Sequence, residues 1–371
     1  MNQKNLKSRV LFATQLPPPI HGVSLIASYL QSSEALANRF RVSFVNISFT
    51  HSIKDISNFG IKKVGRFFTT GLRFVIEVIW KRPDLVYYTI APSGPALIRD
   101  VIYIFFFRLL RIRYVLHIHG QGFANLRQKS ILYFSVKMAF SKARVICLGH
   151  ALTKDVQLIY PGKPFILNNG IKDHFVSRTR GSKLELLYLS NFIKSKGIWD
   201  ALHAALILHK EGLDFRLRLV GSEYDVTKAT IMEFAQTHKL VSKIEVVGPA
   251  FNEHKYEILS SSDILLLPTQ NDAFPLVILE AMQFGVVAIS TNQGSISEIV
   301  EEGKSGFLVN ERNPNEIAEK VITLIRNPTR LQQMSAYSRI RYTEKFSYKI
   351  FEKNLLEILE SCLGIVTNNN E

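Results

Sequence analysis

Two carboxylates eight positions apart, Asp272 and Glu280, bracket the segment DAFPLVILE. Asp272 falls in a polar loop that follows Ile264–Leu267, an apolar run expected to be a buried strand ended by Pro268. Pro275 suits the first turn of a helix, where no N–H is needed. Leu276–Phe284 then reads as that helix, with Gly285 as its C′ stop. A helix N-terminus attracts phosphate, and open α/β sheets take ligands at the carboxyl ends of their strands. At ~1.5 Å rise per residue the two acids would stand roughly 10 Å apart, a span that suits gripping both ends of an extended ligand. From spacing alone the plainer reading stands ahead: Glu280 a solvated helix residue and Asp272 a turn former.

Three other places carry groups of the same kind. After an expected strand over Leu184–Leu189 comes SNFIKSKG, Ser190–Gly197. A lysine so near a helix start opposes the dipole, which favours a bound anion beside Lys196. The expected strand Tyr114–His119 ends in HIHG, with His119 before Gly120; His117 lies on the same face and is its rival. In QLPPPIHG, after a strand over Arg9–Thr14, Gly22 opens onto a helix and lets a ligand approach the backbone.

The stretch DAFPLVILEAMQFGVVAISTNQGSISEIVEEGKSGFLV resembles the signature of the family 4 glycosyltransferases. That resemblance implies an α/β chain of two Rossmann-like domains facing across a cleft (the GT-B fold), retaining chemistry and a nucleotide-sugar donor, UDP- or GDP-linked. It places Asp272 on the donor sugar and Glu280, followed in register by Ala281 and Met282, on the ribose. Phe274, Pro275 and Leu276 between them belong to the donor site. Asp272 stands where the family has a longer glutamate. Lys196 and Gly197 match the element that neutralises the donor diphosphate. Asn191 occupies the family's arginine position and brings an amide without charge; Lys194 or an arginine of the first domain is the expected substitute. His119 would hydrogen-bond the sugar, Gly22 would line the donor site, and GPAFN after a strand over Ile244–Gly248 would read the base through backbone groups.

The elements that must position these groups alternate strand and helix along the chain, as parallel α/β sheets require. With 371 residues and 47% hydrophobic content, two globular domains are expected. They are drawn as 1–178 for the acceptor and 179–345 for the donor, with 346–371 a terminal helix crossing back onto the first. No run reaches 18 uncharged apolar residues, so no membrane span is expected, and no secretory leader is visible. Cys147 and Cys362 are too few for a disulfide framework or a cysteine zinc site. Asp-x-Asp, HExxH and P-loop motifs are absent, so neither a metal nor a cofactor is expected.

Charge separates the halves. Residues 1–175 hold 24 Lys/Arg against 7 Asp/Glu, a net +17, while residues 176–371 hold 22 against 24, a net −2. In the first half, Lys62, Lys63, Arg66, Phe67, Phe68, Arg73, Phe74 and Trp80 crowd one stretch, and Arg108, Arg111 and Arg113 follow the aromatic run Tyr103–Phe107. Basic and large apolar groups together suit reversible docking on an anionic membrane. No nucleic-acid motif accompanies the charge. The expectation is thus a cytoplasmic hexosyltransferase, peripheral on the inner face of the membrane. It would extend a glycan acceptor, lipid-linked, in bacterial-type surface polysaccharide synthesis. A sugar-nucleotide epimerase and a non-catalytic sugar-nucleotide binder are the alternatives.

Overall fold

The computed structural model describes residues 7–48, 71, 74–128, 130–177, 181 and 183–365. They form two compact units: residues 1–169 together with 351–371, and residues 170–350. Each is built on one parallel six-stranded sheet.

In unit 1 the strands are β1 (Arg9–Thr14), β2 (Arg41–Asn46), β3 (Leu85–Ile90), β4 (Arg113–Ile118), β5 (Arg144–Cys147) and β6 (Phe165–Ile166), in the order β2-β1-β3-β4-β5-β6. The helices between them are α1 (Gly22–Gln31), α2 (Glu34–Arg39), α3 (residues 74–81), α4 (Gly94–Leu109), α5 (Ile131–Phe140) and the single turn α6 (Thr153–Val156). Every residue of β3 is buried, which fits its continuous apolar run LVYYTI. Parallel crossovers are right-handed. The connection from β1 to β2 therefore lies on one face of the sheet, and α3, α4 and α5, which run the other way, share the opposite face. Phe74 of α3 confirms part of this layer by packing on Tyr103 and Phe107 of α4.

Unit 2 has β7 (Leu184–Leu189), β8 (Phe215–Val220), β9 (Ile244–Gly248), β10 (Ile264–Leu267), β11 (Val287–Thr291) and β12 (Gly306–Val309), ordered β12-β11-β10-β7-β8-β9. Its helices are α7 (Ile198–Lys210), α8 (Lys228–Thr237), α9 (Asn252–Ser260), α10 (Leu276–Gln283), α11 (Ile296–Ile299), α12 (Pro314–Arg326) and α13 (Pro328–Arg341). The final helix, α14 (Tyr348–Leu363), starts in unit 2 and contributes its residues from 351 onward to unit 1, where Arg39 pairs with Glu360.

The division falls at 169/170, nine residues before the expected boundary at 178/179 in the polar stretch SRTRGSK. Backbone hydrogen bonds explain the shift. Ile171 donates to Phe346 O at 3.1 Å and accepts from Tyr348 N–H at 2.8 Å, and His174 N–H reaches Gln283 at 2.8 Å. Asp173 is also ion-paired with Arg339 at 2.5 Å. The segment 170–175 is thereby tied into unit 2 before the chain reaches β7.

One buried ion pair fixes the loop after β3. Asp100, wholly buried, accepts from Tyr88 OH at 2.6 Å, from Ala91 N–H at 2.8 Å and from Arg99, while Arg99 donates to Ile47 O at 2.7 Å. Removing one member of a buried pair leaves an uncompensated charge. Asp100→Ala is therefore expected to destabilise the protein by about 3–5 kcal/mol. Removing Glu357 from its exposed pair with Lys353 should cost under about 1 kcal/mol. Urea denaturation of the two variants, side by side, checks this.

Candidate functional site

In unit 2 the strand order reverses between β7 and β10, because β8 and β9 lie to one side of β7 while β10, β11 and β12 lie to the other. Ligands of open α/β sheets bind outside the strand carboxyl ends at such a reversal. Here the two loops that leave those ends are locked together. Gly197, at φ +78°, sits so close to the next loop that a Cβ would stand 2.1 Å from Pro268 O. Gln270 N–H donates to Ser195 O at 2.8 Å. The contact brings Lys196 to Asp272: Nζ lies 2.6 Å from Oδ1 and 3.2 Å from Asn271 O, with both side chains partly exposed.

Gly294 forms the other wall of the Asp272 loop. It too has positive φ (+53°), and a Cβ would meet Asp272 O at 2.3 Å and Ala273 O at 2.4 Å. Ser295 N–H donates to Ala273 O at 2.9 Å, and its buried Oγ has no hydrogen-bond partner among the described residues. Leu276 is the first residue of α10, so Pro275 is its N-cap (ψ 112°) rather than part of the first turn. The reason is the extended backbone at Pro275, which turns the chain into the helix one residue later. Phe274 is buried and packs edge-on against Phe346, 6.3 Å between centroids, so its side chain serves the core.

One α10 turn further on, Glu280 is half-buried and accepts from Lys255 Nζ of α9 at 2.8 Å. Both expected carboxylates thus face a lysine: Asp272 with Lys196, Glu280 with Lys255. Asn191 uses its side-chain oxygen to accept from Ser222 N–H at 3.4 Å, and Lys194 begins a short 3-10 turn, its N–H donated to Asp225 at 2.9 Å. Lys255, Gly294 and Ser295 were not singled out in the sequence. A left-handed glycine followed by a small hydroxyl residue, in NQGS after a buried strand, was the available signal for the latter two.

In unit 1 the reversal lies between β1 and β3; the loop leaving β1 holds Gly22, and His119 lies after β4, the strand beside β3. Gly22 is the first residue of α1, capped by His21, whose Nδ1 accepts from Ser24 N–H at 3.4 Å. His119 directly follows β4, and its ring centroid lies 4.0 Å from that of His117. His117 is wholly buried and its Nδ1 meets Tyr87 OH; the Nε2 atoms of both histidines have no partner among the described residues. The loop beyond His119 is held by Asp155, whose carboxylate accepts from the N–H groups of Gly122, Phe123 and Ala124 at 3.0, 3.1 and 2.9 Å.

Burial, then repulsion from His21, takes His119 down to about 3. Burial, then His119, takes His117 well below its ordinary value, and burial lowers His21 as well. All three are neutral imidazoles at neutral pH, able to donate or accept a hydrogen bond without bringing charge. Among the described residues there is no cluster of His, Cys, Asp and Glu arranged to hold a metal ion.

Residues 171–341, most of unit 2, match the family described as glycosyl transferases group 1. A similar curated protein is the N-acetyl-alpha-D-glucosaminyl L-malate synthase of Bacillus anthracis, 25% identical over 64% of this chain and 64% of its own length. Another is a Salmonella typhimurium glycosyltransferase named for colanic acid biosynthesis, 26% identical over 51% of this chain and 48% of its own length. The chain therefore spans less than two thirds of these curated relatives. Among solved structures, Anabaena HepE in complex with UDP-glucose superimposes with a TM-score of 0.70 at 17% identity, covering 95% of this chain and 99% of that one. At that identity the likeness shows the fold, the two-unit α/β architecture of GT-B glycosyltransferases.

The depressed histidines make unit 1 sensitive to acid. Folded His119 takes up its proton only near pH 3, whereas the unfolded chain takes it up near pH 6.5. The unfolded state then binds more protons, so stability present above pH 6.5 is lost as pH falls from there toward about 3. Hydrogen exchange of β4 amides should show protection falling over this window, less steeply in His119→Gln. An unchanged slope in the variant would contradict the assignment.

Proposed function

We propose that the chain is a retaining hexosyltransferase that moves a sugar from a UDP- or GDP-linked donor to a glycan acceptor, lipid-linked, on the inner face of a bacterial-type membrane. The observation that carries this reading is the junction of the β7 and β10 loops, which sets Lys196 and Asp272 2.6 Å apart at the sheet's reversal. A cation, an acid and the start of α10 meet there, as binding a diphosphate and the sugar attached to it requires. The HepE neighbour was solved with UDP-glucose, and the Salmonella relative is named for polysaccharide synthesis; both support the reading.

The chemistry follows from the pair. A donor diphosphate competes with Asp272 for Lys196. The acceptor's hydroxyl oxygen bonds to the sugar's anomeric carbon as the bond from that carbon to the diphosphate oxygen breaks; the electron pair goes to the diphosphate, which takes up the hydroxyl proton. Lys196 and the N–H groups opening α10 meet that charge. Asp272, released from Lys196, faces the sugar, and Glu280 takes the ribose hydroxyls beside Lys255. His119 is assigned the sugar's hydroxyls, for which a neutral ring with an unpartnered Nε2 is suited. Turnover without added divalent cation is expected.

Three substitutions test the division of roles. Lys196→Ala removes a charged hydrogen bond worth about 1.5–3 kcal/mol and leaves Asp272 to repel the phosphate, so nucleoside diphosphate affinity should fall about 10- to 100-fold. Asp272→Asn frees Lys196, so nucleotide affinity should hold or rise while kcat falls. Glu280→Gln should weaken nucleotide with or without sugar. Calorimetry checks all three, and equal loss of nucleotide binding in the Asp272 and Glu280 variants would refute the division.

The function itself is read by mass spectrometry of products formed from UDP- and GDP-sugars with a lipid-linked glycan acceptor. A new glycoside is expected. An altered free sugar would make the protein an epimerase, and binding without any product a non-catalytic partner.

A further inference from the structure

Four of the six strands in unit 1 open on arginine: Arg9 in β1, Arg41 in β2, Arg113 in β4 and Arg144 in β5. This is the amino edge of the sheet, the opposite end from the His119 loop, so the charge has no part in donor binding. The helices on the α3–α5 face run antiparallel to the strands, and the C-terminal ends of α3 and α4 reach the same edge. Between them lies a cavity of about 730 Å³ lined by Arg9, Arg82, Arg111 and Arg113, with Asp84 the one acid and Ile79 and Leu110 among its apolar walls.

The cavity's arginines are unevenly occupied. Arg9 is paired with Asp84 at 3.1 Å, and Arg113 donates to Leu363 O at 2.7 Å. The side chains of Arg82 and Arg111 have no acceptor among the described residues. Both residues also hold left-handed backbone conformations, φ +41° and +54°, which side chains other than glycine adopt at a cost. Two exposed arginines, each just past the C-terminal end of a helix and with no acceptor among the described residues, thus converge on one cavity.

The rim of the cavity is apolar and unusually bare. Trp80 is 84% exposed and Leu109 76%; Ile79 and Leu110, which line the cavity, are also exposed, and Ile102 and Phe106 continue the stripe along α4. Water-facing tryptophan and leucine beside exposed arginines are the chemistry of a headgroup boundary: apolar groups enter the acyl region while arginines meet phosphate. A soluble polyanion such as nucleic acid would use the arginines and leave the apolar rim in water. Of the basic stretch singled out in the sequence, Lys62, Lys63, Arg66, Phe67, Phe68 and Arg73 lie outside the described residues, and Phe74 is buried.

We infer that this corner of unit 1 is a docking site for an anionic phospholipid bilayer, with a lipid phosphate held by Arg82 and Arg111 and with Trp80 and Leu109 inserted beside it. The inference rests on the membrane reading above and localises it.

The test is flotation of the full chain with vesicles of phosphatidylcholine, alone or mixed with phosphatidylglycerol, at low salt. Flotation with the anionic vesicles alone is expected. Arg82→Gln with Arg111→Gln should weaken it by about tenfold or more, and Lys228→Gln with Lys239→Gln, an equal loss of charge on unit 2, should not. A second readout avoids disturbing the corner: with two tryptophans in the chain, Trp199→Phe leaves Trp80 as the sole reporter. Its emission should move to shorter wavelength on anionic vesicles. No flotation of the unaltered chain would overturn the membrane reading itself. Flotation that survives the double arginine change, with Trp80 emission unmoved, would leave docking standing and overturn this site. A phosphate-induced rise in Tm without flotation would make the cavity a soluble-anion site and overturn the bilayer assignment.

Discussion

The account depends on how closely Gly197 approaches the carbonyl of Pro268. A Cβ at that position would overlap the Pro268 oxygen, so only glycine lets the two loops touch. Once they touch, Lys196 and Asp272 have little choice but to meet, and α10 begins beside them. Gly294 repeats the device from the β11 side against the carbonyls of Asp272 and Ala273. Three loops from three adjacent strands are thus brought within backbone contact, which holds Lys196 and Asp272 at the sheet's carboxyl edge.

The same logic appears in unit 1 with different means. There the loops are held by carboxylates: buried Asp100 fixes the turn after β3, and half-buried Asp155 gathers three successive N–H groups in the loop after β4, beyond His119. The histidines are kept neutral by burial and by one another.

Much of this was legible in the sequence because it is local. The strands β7, β9 and β10 run over the residues read for them, since short apolar runs with glycine or proline at their ends leave little freedom. Asp272, Glu280 and Lys196 stood out because the stretches that hold them resemble a known donor-site pattern; spacing alone left the plainer reading of the two acids ahead. What the sequence hid is what depends on sheet order. Lys255 lies 25 positions before Glu280, and nothing local says that α9 lies alongside α10. Asp155 lies more than 30 positions after Gly122–Ala124, and nothing local says that it gathers their N–H groups. The unit boundary was missed because hydrogen bonds from Ile171 to Phe346 and Tyr348 cross more than 170 positions. Phe74 and Trp80 show the same limit: six positions apart in one basic stretch, one is core and the other is 84% exposed.

The central claim, that the β7 and β10 loops act as one anion site, is tested most directly by hydrogen exchange of the full chain with and without a nucleoside diphosphate. The account predicts that amides of residues 190–197 and 268–280 slow together on binding, by a common factor at each ligand concentration. Protection of one loop without the other, or binding that leaves both unchanged, would contradict it.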